Sequence, residues 1–212
     1  MEEERIVSFI HSLEKDAPQI LTEIEKEAKE TDVPIIRKET QGLLRFLVAS
    51  NRPESILEVG TATGFSALLM WVASERKAKI TTIEKYEKRI PIARDNFKRA
   101  GAEENILLIE GDAMEVLQGL EGEFSMIFMD AAKGQYLNFL PEVTRLLKKD
   151  GILISDNVLQ DGDVCESRFA VTRRNRTIHS RMREYLYELT HSSVYETVIL
   201  NIGDGVTLSV KK

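Results

Sequence analysis

A chain of 212 residues is the length of one domain and can bury a sizeable core. Its 42% hydrophobic and 30% charged residues contain no apolar run near the roughly 18 residues of a membrane span, and the acidic start MEEERIVSFIHSLEKD has no signal-peptide pattern. These features exclude a membrane protein and a secreted precursor and predict a cytoplasmic one; the single cysteine, Cys165, excludes an internal disulfide and a cysteine-built zinc or cluster site.

The net charge of −6 argues against a general nucleic-acid binder, but the charge is unevenly spread. Residues 1–30 hold nine acids against four bases, and residues 165–185 hold six arginines against two glutamates. A basic stretch on an acidic chain suggests a polyanionic partner.

Apolar spacing in IVSFIHSL and ILTEIEKEA predicts two short amphipathic helices, the second opened by Asp16 as N-cap with Pro18 in its first turn. KETQGLLRFLVAS predicts a third helix, completing a helical cap over residues 1–50. From residue 51 onward one α/β core follows, giving a single domain over 1–212. Strands SILEV, KITTIE, NILLIE, FSMIFMD and GILISD alternate with helices FSALLMWVASE, EKRIPIARDNFKRA, AMEVLQGL and LNFLPEVTRLLKK, which implies a parallel, doubly wound sheet. After a helix near 175–190, VYETVILNI and VTLSVKK flank Gly203-Asp204-Gly205, a connection so short that the two strands must be antiparallel. The predicted fold is Rossmann-like, with a seven-stranded, mostly parallel sheet, an antiparallel C-terminal pair and helices on both faces.

At the end of the first strand, EVGTATGFS places Glu58, Gly60, Gly64 and Ser66 at a strand-to-helix turn where backbone can approach a ligand closely. The glycine spacing is GxxxG rather than GxGxxG. A carboxylate two residues before Gly60 would repel a pyrophosphate but suits the ammonium of a methionine moiety, so the pattern favours S-adenosylmethionine over NAD. Glu84, at the end of the second strand, can accept from ribose hydroxyls, and Asp112, after the third, from an adenine amino group. Taken singly, these acids could equally be helix caps.

Asp130, Asp156 and Asn157 stand after the fourth and fifth strands, a hard oxygen set suited to Mg²⁺; the bland alternative is again caps and a turn residue. Lys133 is close enough to act as a base, and Asp161 and Asp163 are either metal ligands or, as the favoured reading, plain loop acids. His11, His179 and His191 show no ligand spacing.

Taken together, EVGTATGFS, TTIEK, EGDA, DAAKGQY, SDN and GDGVTL resemble the metal-dependent class I O-methyltransferases that include catechol and caffeoyl-CoA O-methyltransferases, over a stretch from about Val33 to the C-terminus. The resemblance implies S-adenosylmethionine bound around Glu58, Gly60, Thr61, Ser66, Glu84, Asp112, Ala113 and Asp130. It also implies Mg²⁺ or Mn²⁺ on Asp130, Asp156 and Asn157, Lys133 as base, and a homodimer. One segment, RFAVTRRNRTIHSRMREYL, is similar instead to the branch that converts 5-hydroxyuridine to 5-methoxyuridine at the wobble position of the tRNA anticodon. Arg168, Arg173, Arg174, Arg176 and Arg181 would then meet RNA phosphates. The alternatives are a solvated helix face on a small-molecule catechol-type enzyme, and a non-catalytic RNA-binding module on the same fold; an NAD-dependent reductase ranks last.

Overall fold

The computed structural model describes residues 2–212. Seven strands form one sheet in the order β3-β2-β1-β4-β5-β7-β6. They are β1 (Ser55–Val59), β2 (Lys79–Glu84), β3 (Ile106–Glu110), β4 (Phe124–Met129), β5 (Leu147–Asp156), β6 (Tyr195–Leu200) and β7 (Val206–Lys211). The first five are parallel, β7 runs antiparallel to β5, and β6 runs antiparallel to β7 at the sheet edge. This is the predicted fold.

Eight helices accompany the sheet among the described residues: α1 (Glu2–Ser12), α2 (Gln19–Glu30), α3 (Lys38–Asn51), α4 (Phe65–Ala73), α5 (Ile90–Ala100), α6 (Ala113–Gly119), α7 (Tyr136–Leu146) and α8 (Arg176–His191). None is long and apolar enough to cross a membrane. The central strands are nearly continuous apolar runs because both of their faces are covered. Ile56, Met126, Phe128 and Ile154 pack with Leu21, Leu44 and Leu68 on one side, while Leu57, Val59, Ile127 and Leu153 pack with Phe139, Val143 and Met182 on the other. Each such Leu, Ile or Phe contributes about 1.5–3 kcal/mol by leaving water.

Two local expectations need correction. The N-cap position of α2 is Pro18, not Asp16, and no side chain caps that end. Pro18 fixes the backbone just before the first turn without help from a carboxylate. The α7 helix stops at Leu146, so the LKK that the helical period had absorbed belongs to β5. Leu147 pairs with Phe124, the register then shifts, and Ile152 pairs with Met126. The intervening Lys148–Gly151 therefore forms an irregularity within the strand, with Asp150 at φ +61.

The hairpin between β6 and β7 has a consequence for the site. Because β7 is antiparallel to β5, Val206 pairs with Asp156. The Gly203-Asp204-Gly205 turn is thereby brought to the edge of the sheet where β1, β4 and β5 end. Gly205, at φ +82, leaves no room for a side chain: a Cβ would lie 2.3 Å from Leu159 Cγ.

Candidate active site

The strand order reverses between β1 and β4, and a crevice opens there at the carboxyl ends of the strands, as expected for an open α/β sheet. Its volume is about 430 Å³, within the range of a small-molecule site. Gly60, Glu84, Asp112, Ala113 and Asp130, five of the residues expected around a cofactor, line it. Glu58, Thr61 and Ser66 do not: all three are buried behind the lining.

Gly60 has φ +106, and a Cβ there would stand 2.2 Å from the Asp130 carbonyl oxygen. The tips of β1 and β4 touch at this point, held by the bond from Asp130 N–H to the Val59 carbonyl at 3.0 Å. Ala62 is also left-handed, at φ +48, and its N–H donates to Glu84 Oε2 at 2.8 Å. Glu84 Oε1 accepts from the Lys85 and Tyr86 N–H groups, so this carboxylate clamps two loops together as well as facing the crevice. Asp112 caps α6 through Met114 N–H at 2.9 Å and has Lys85 Nζ at 3.3 Å. The Met114 bond, then Lys85, holds its carboxyl below the ordinary range. Asp112 thus works as a helix cap and Glu84 as a loop clamp, and both also line the crevice.

Glu58 is fully buried, and burial pushes its carboxyl up to about 8; the nearby Ser66 and Thr82 hydroxyls oppose that shift, while Asp130 and Glu84 add to it. Thr82 donates to Oε2 and itself bonds Thr61, yet Oε1 has no hydrogen-bond partner among the described residues. A buried carboxylate oxygen left unsatisfied is costly unless a cation or donor meets it.

A second acidic centre sits beside the first. Asp156 is 1% exposed and pushed up to about 7, chiefly by burial and then by the negative charge of Asp130. Burial likewise raises Asp130, against the pull of Lys133. Asp156 Oδ1 accepts from Asn157 N–H at 2.8 Å, whereas Oδ2 has no hydrogen-bond partner among the described residues. Asn157 follows at φ +57, a conformation that asparagine tolerates better than most residues. Among the described residues, no three His, Cys, Asp or Glu side chains form a metal-binding group, so a cation here would depend on two carboxylates and an amide. The mutual repulsion and the orphaned Oδ2 fit that role.

Beneath this pair Tyr136 is completely buried, its hydroxyl 3.1 Å from both the Met129 and Asp156 carbonyl oxygens and its ring edge-on to Tyr185. One hydroxyl thus ties the ends of β4 and β5. Tyr136→Phe should cost about 1–2 kcal/mol and lower the melting temperature by roughly 2–8 °C, readable by calorimetry; an unchanged midpoint would show that the hydroxyl carries no part of the strand alignment.

The basic segment after β5 divides in two. Arg168, Arg173 and Arg174 are exposed. Arg176 donates to the Val171 carbonyl at 3.3 Å and Arg181 to the Gly134 carbonyl at 2.8 Å, so part of their donor capacity is engaged within the fold. Asp161 pairs with Arg37 at 2.6 Å, which agrees with its reading as a loop acid.

The family model described as O-methyltransferase matches residues 11–212. The chain belongs to the O-methyltransferase family. A Staphylococcus aureus structure, provisionally named a caffeoyl-CoA O-methyltransferase, is 31% identical with a TM-score of 0.89 and coverage of 100% of both chains. The SAH-bound methyltransferase PaMTH1 of Podospora anserina is 27% identical with a TM-score of 0.89, covering 100% of this chain and 95% of its own. A catechol O-methyltransferase of Niastella koreensis is 28% identical, covering 80% of this chain and 78% of its own.

In this O-methyltransferase, the residue that sequence reasoning passed over is Asp204. It is 5% exposed, accepts from Asp161 N–H, and places Oδ2 3.6 Å from Lys133 Nζ. Read as the middle of a hairpin turn, it gave no sign of facing a lysine 71 positions earlier; its flanking glycines were the available signal. Arg89 and Gln135, which also line the crevice, had no motif to mark them.

Proposed function

We propose that this O-methyltransferase transfers the methyl group of S-adenosylmethionine to a hydroxyl lying beside a second oxygen, with 5-hydroxyuridine at the tRNA wobble position as the acceptor. The observation that carries the reaction type is the pairing of half-buried Asp130 with buried Asp156, whose Oδ2 has no partner among the described residues, next to Lys133 and at the end of a crevice that also holds Glu84 and Asp112. Asp130, Asp156 and Asn157 would hold a divalent cation. When bound, it supplies positive charge that favours proton loss from a neighbouring hydroxyl. Lys133, in its neutral amine form beside the bound cation, would take that proton and become the ammonium, which Asp204 Oδ2, 3.6 Å from Nζ, then stabilises. Glu58 Oε1 meets the methionine ammonium, Glu84 the ribose, and Asp112 the adenine. The SAH held by the Podospora relative supports S-adenosylmethionine as the donor.

The tRNA acceptor is supported by the exposed Arg168, Arg173 and Arg174 on the segment leading into α8, which packs on the turn holding Lys133. The small-catechol reading is favoured by the engagement of Arg176 and Arg181 within the fold and by the names of the relatives. Salt separates the two. Three phosphate contacts predict a log–log slope of binding against salt near −2 to −3, while a catechol should show almost none. The homodimer is part of the proposal and finds support in an exposed apolar stripe formed by Ile6, Phe9 and Ile10 of α1 and Leu13 just after it.

Cofactor titration by calorimetry tests the Glu58 assignment. Free Glu58 is protonated below about 8 and must ionise to meet an ammonium. S-Adenosylmethionine affinity should therefore fall about tenfold for each pH unit below that value and level off above it. A flat profile between pH 6 and 9 would remove Glu58 as the ammonium's partner.

A further inference from the structure

We propose that Phe169 is a stacking platform for an unpaired nucleobase of the RNA whose 5-hydroxyuridine enters the active site; this rests on the tRNA reading above. Phe169 is 85% exposed, the most exposed of the large hydrophobic residues among those described. A single exposed apolar side chain is ordinary on a protein surface, so what distinguishes Phe169 is its setting. The turn Arg168–Ala170 that carries it is followed by a second turn, Arg173–Asn175, and both bring exposed arginines. Exposed Arg168, Arg173 and Arg174 carry +3, make no ion pair among the described residues, and the nearest acid in sequence is the single Glu166. A planar ring among fixed cations matches the chemistry of a single strand, whose bases stack while its phosphates pair with guanidinium groups.

The backbone that carries the ring is also held in place. Ala170 N–H donates to the Ser167 carbonyl at 2.8 Å, which closes the turn. On one side the Glu166 carbonyl contacts Nε2 of the buried His179 at 3.1 Å; on the other Val171 is buried and its carbonyl accepts from Arg176. Arg183 donates to the Val164 carbonyl at 2.9 Å, so the segment is clipped to α8 at three points, through His179, Arg176 and Arg183, and Asn175, at the N-cap of α8, donates to Asp163 at 3.2 Å. In turn α8 is fixed to the Lys133–Gln135 turn by Arg181 and Gly134. A preorganised aromatic loses little freedom on binding, so its contact appears in affinity. In this account Arg176 and Arg181, engaged within the fold, build the platform, and Arg168, Arg173 and Arg174 touch the RNA.

The test uses the full-length protein with S-adenosylmethionine, Mg²⁺ and an anticodon stem–loop bearing 5-hydroxyuridine. Phe169→Ala should raise the stem–loop KM about tenfold or more, lower kcat at saturation little, and leave the salt slope of binding unchanged. Phe169→Trp should restore the wild-type KM. Arg173→Ala, by contrast, should flatten the slope by roughly one unit. Wild-type binding and KM in Phe169→Ala, alongside normal methylation of the RNA, would overturn the platform and leave the tRNA reading standing. An equal loss in Phe169→Trp, or a fall in kcat with KM unchanged, would assign the ring a structural role and also overturn it. A KM effect confined to a coenzyme A ester, with the stem–loop unaffected, would assign the ring to a small nucleotide and contradict the proposal. Failure of the wild type to bind or methylate the stem–loop would remove the tRNA reading itself, and the platform with it.

Discussion

Asp156→Asn should lower turnover about a hundredfold or more and, in chelator at pH 8, make the protein more stable than the wild type. The first effect follows from losing one of two carboxylates that would hold the cation. The second follows from the sign of the pKa shift. Asp156 is raised to about 7 in the folded chain, above its ordinary carboxylate value, so the favourable protonated state contributes fully in acid and is lost as pH rises through 7. Above that pH the wild type carries a buried, ionised, half-satisfied carboxylate facing Asp130, a penalty of order 4 kcal/mol at most. An amide of the same shape still accepts from Asn157 N–H and removes the charge. Melting scans in EDTA and in Mg²⁺ check this: the wild type should gain stability from Mg²⁺ and the variant should not. A variant that melts lower than the wild type in EDTA, or keeps full turnover, would contradict the account.

Gly60→Ala should be more damaging than its one added methyl suggests. The new Cβ would lie 2.2 Å from the Asp130 carbonyl oxygen and 2.9 Å from its carbonyl carbon, and the backbone at φ +106 disfavours an L side chain. Neither neighbour is a flexible side chain, so relief requires moving the tip of β4 away from β1, and Asp130 moves with it. We expect a loss of about 3 kcal/mol and no measurable cofactor binding, read by urea unfolding and calorimetry. Gly101→Ala is the control, since it is also left-handed, at φ +65, but has nothing within 4 Å; it should cost only about 1 kcal/mol and leave binding intact. Comparable losses in both variants would show that backbone strain, not the strand contact, governs Gly60.

The sheet was legible because strands buried on both faces must be apolar runs, and each of the five parallel ones was bounded by charges and turns. Glu84, Asp112, Asp130 and Asp156 were legible because they recur in phase with the strand ends, which the topology gathers on one edge. What stayed hidden depends on partners distant in sequence. Asp204 acquires its place from the antiparallel insertion of β7, and the division of the arginines depends on which guanidinium meets a carbonyl of Gly134 or Val171. The helical period alone could not stop α7 at Leu146, since apolar Leu147 continues the pattern in either structure.

The central claim is that the crevice and its acidic pair methylate a hydroxyl on tRNA. It is tested most directly by mass spectrometry of nucleosides from tRNA carrying 5-hydroxyuridine, after incubation with the protein, S-adenosylmethionine and Mg²⁺. The account predicts a 5-methoxyuridine peak that disappears in excess chelator and with Asp130→Ala. Unmodified tRNA beside a methylated catechol, or a peak undiminished by chelator, would contradict it.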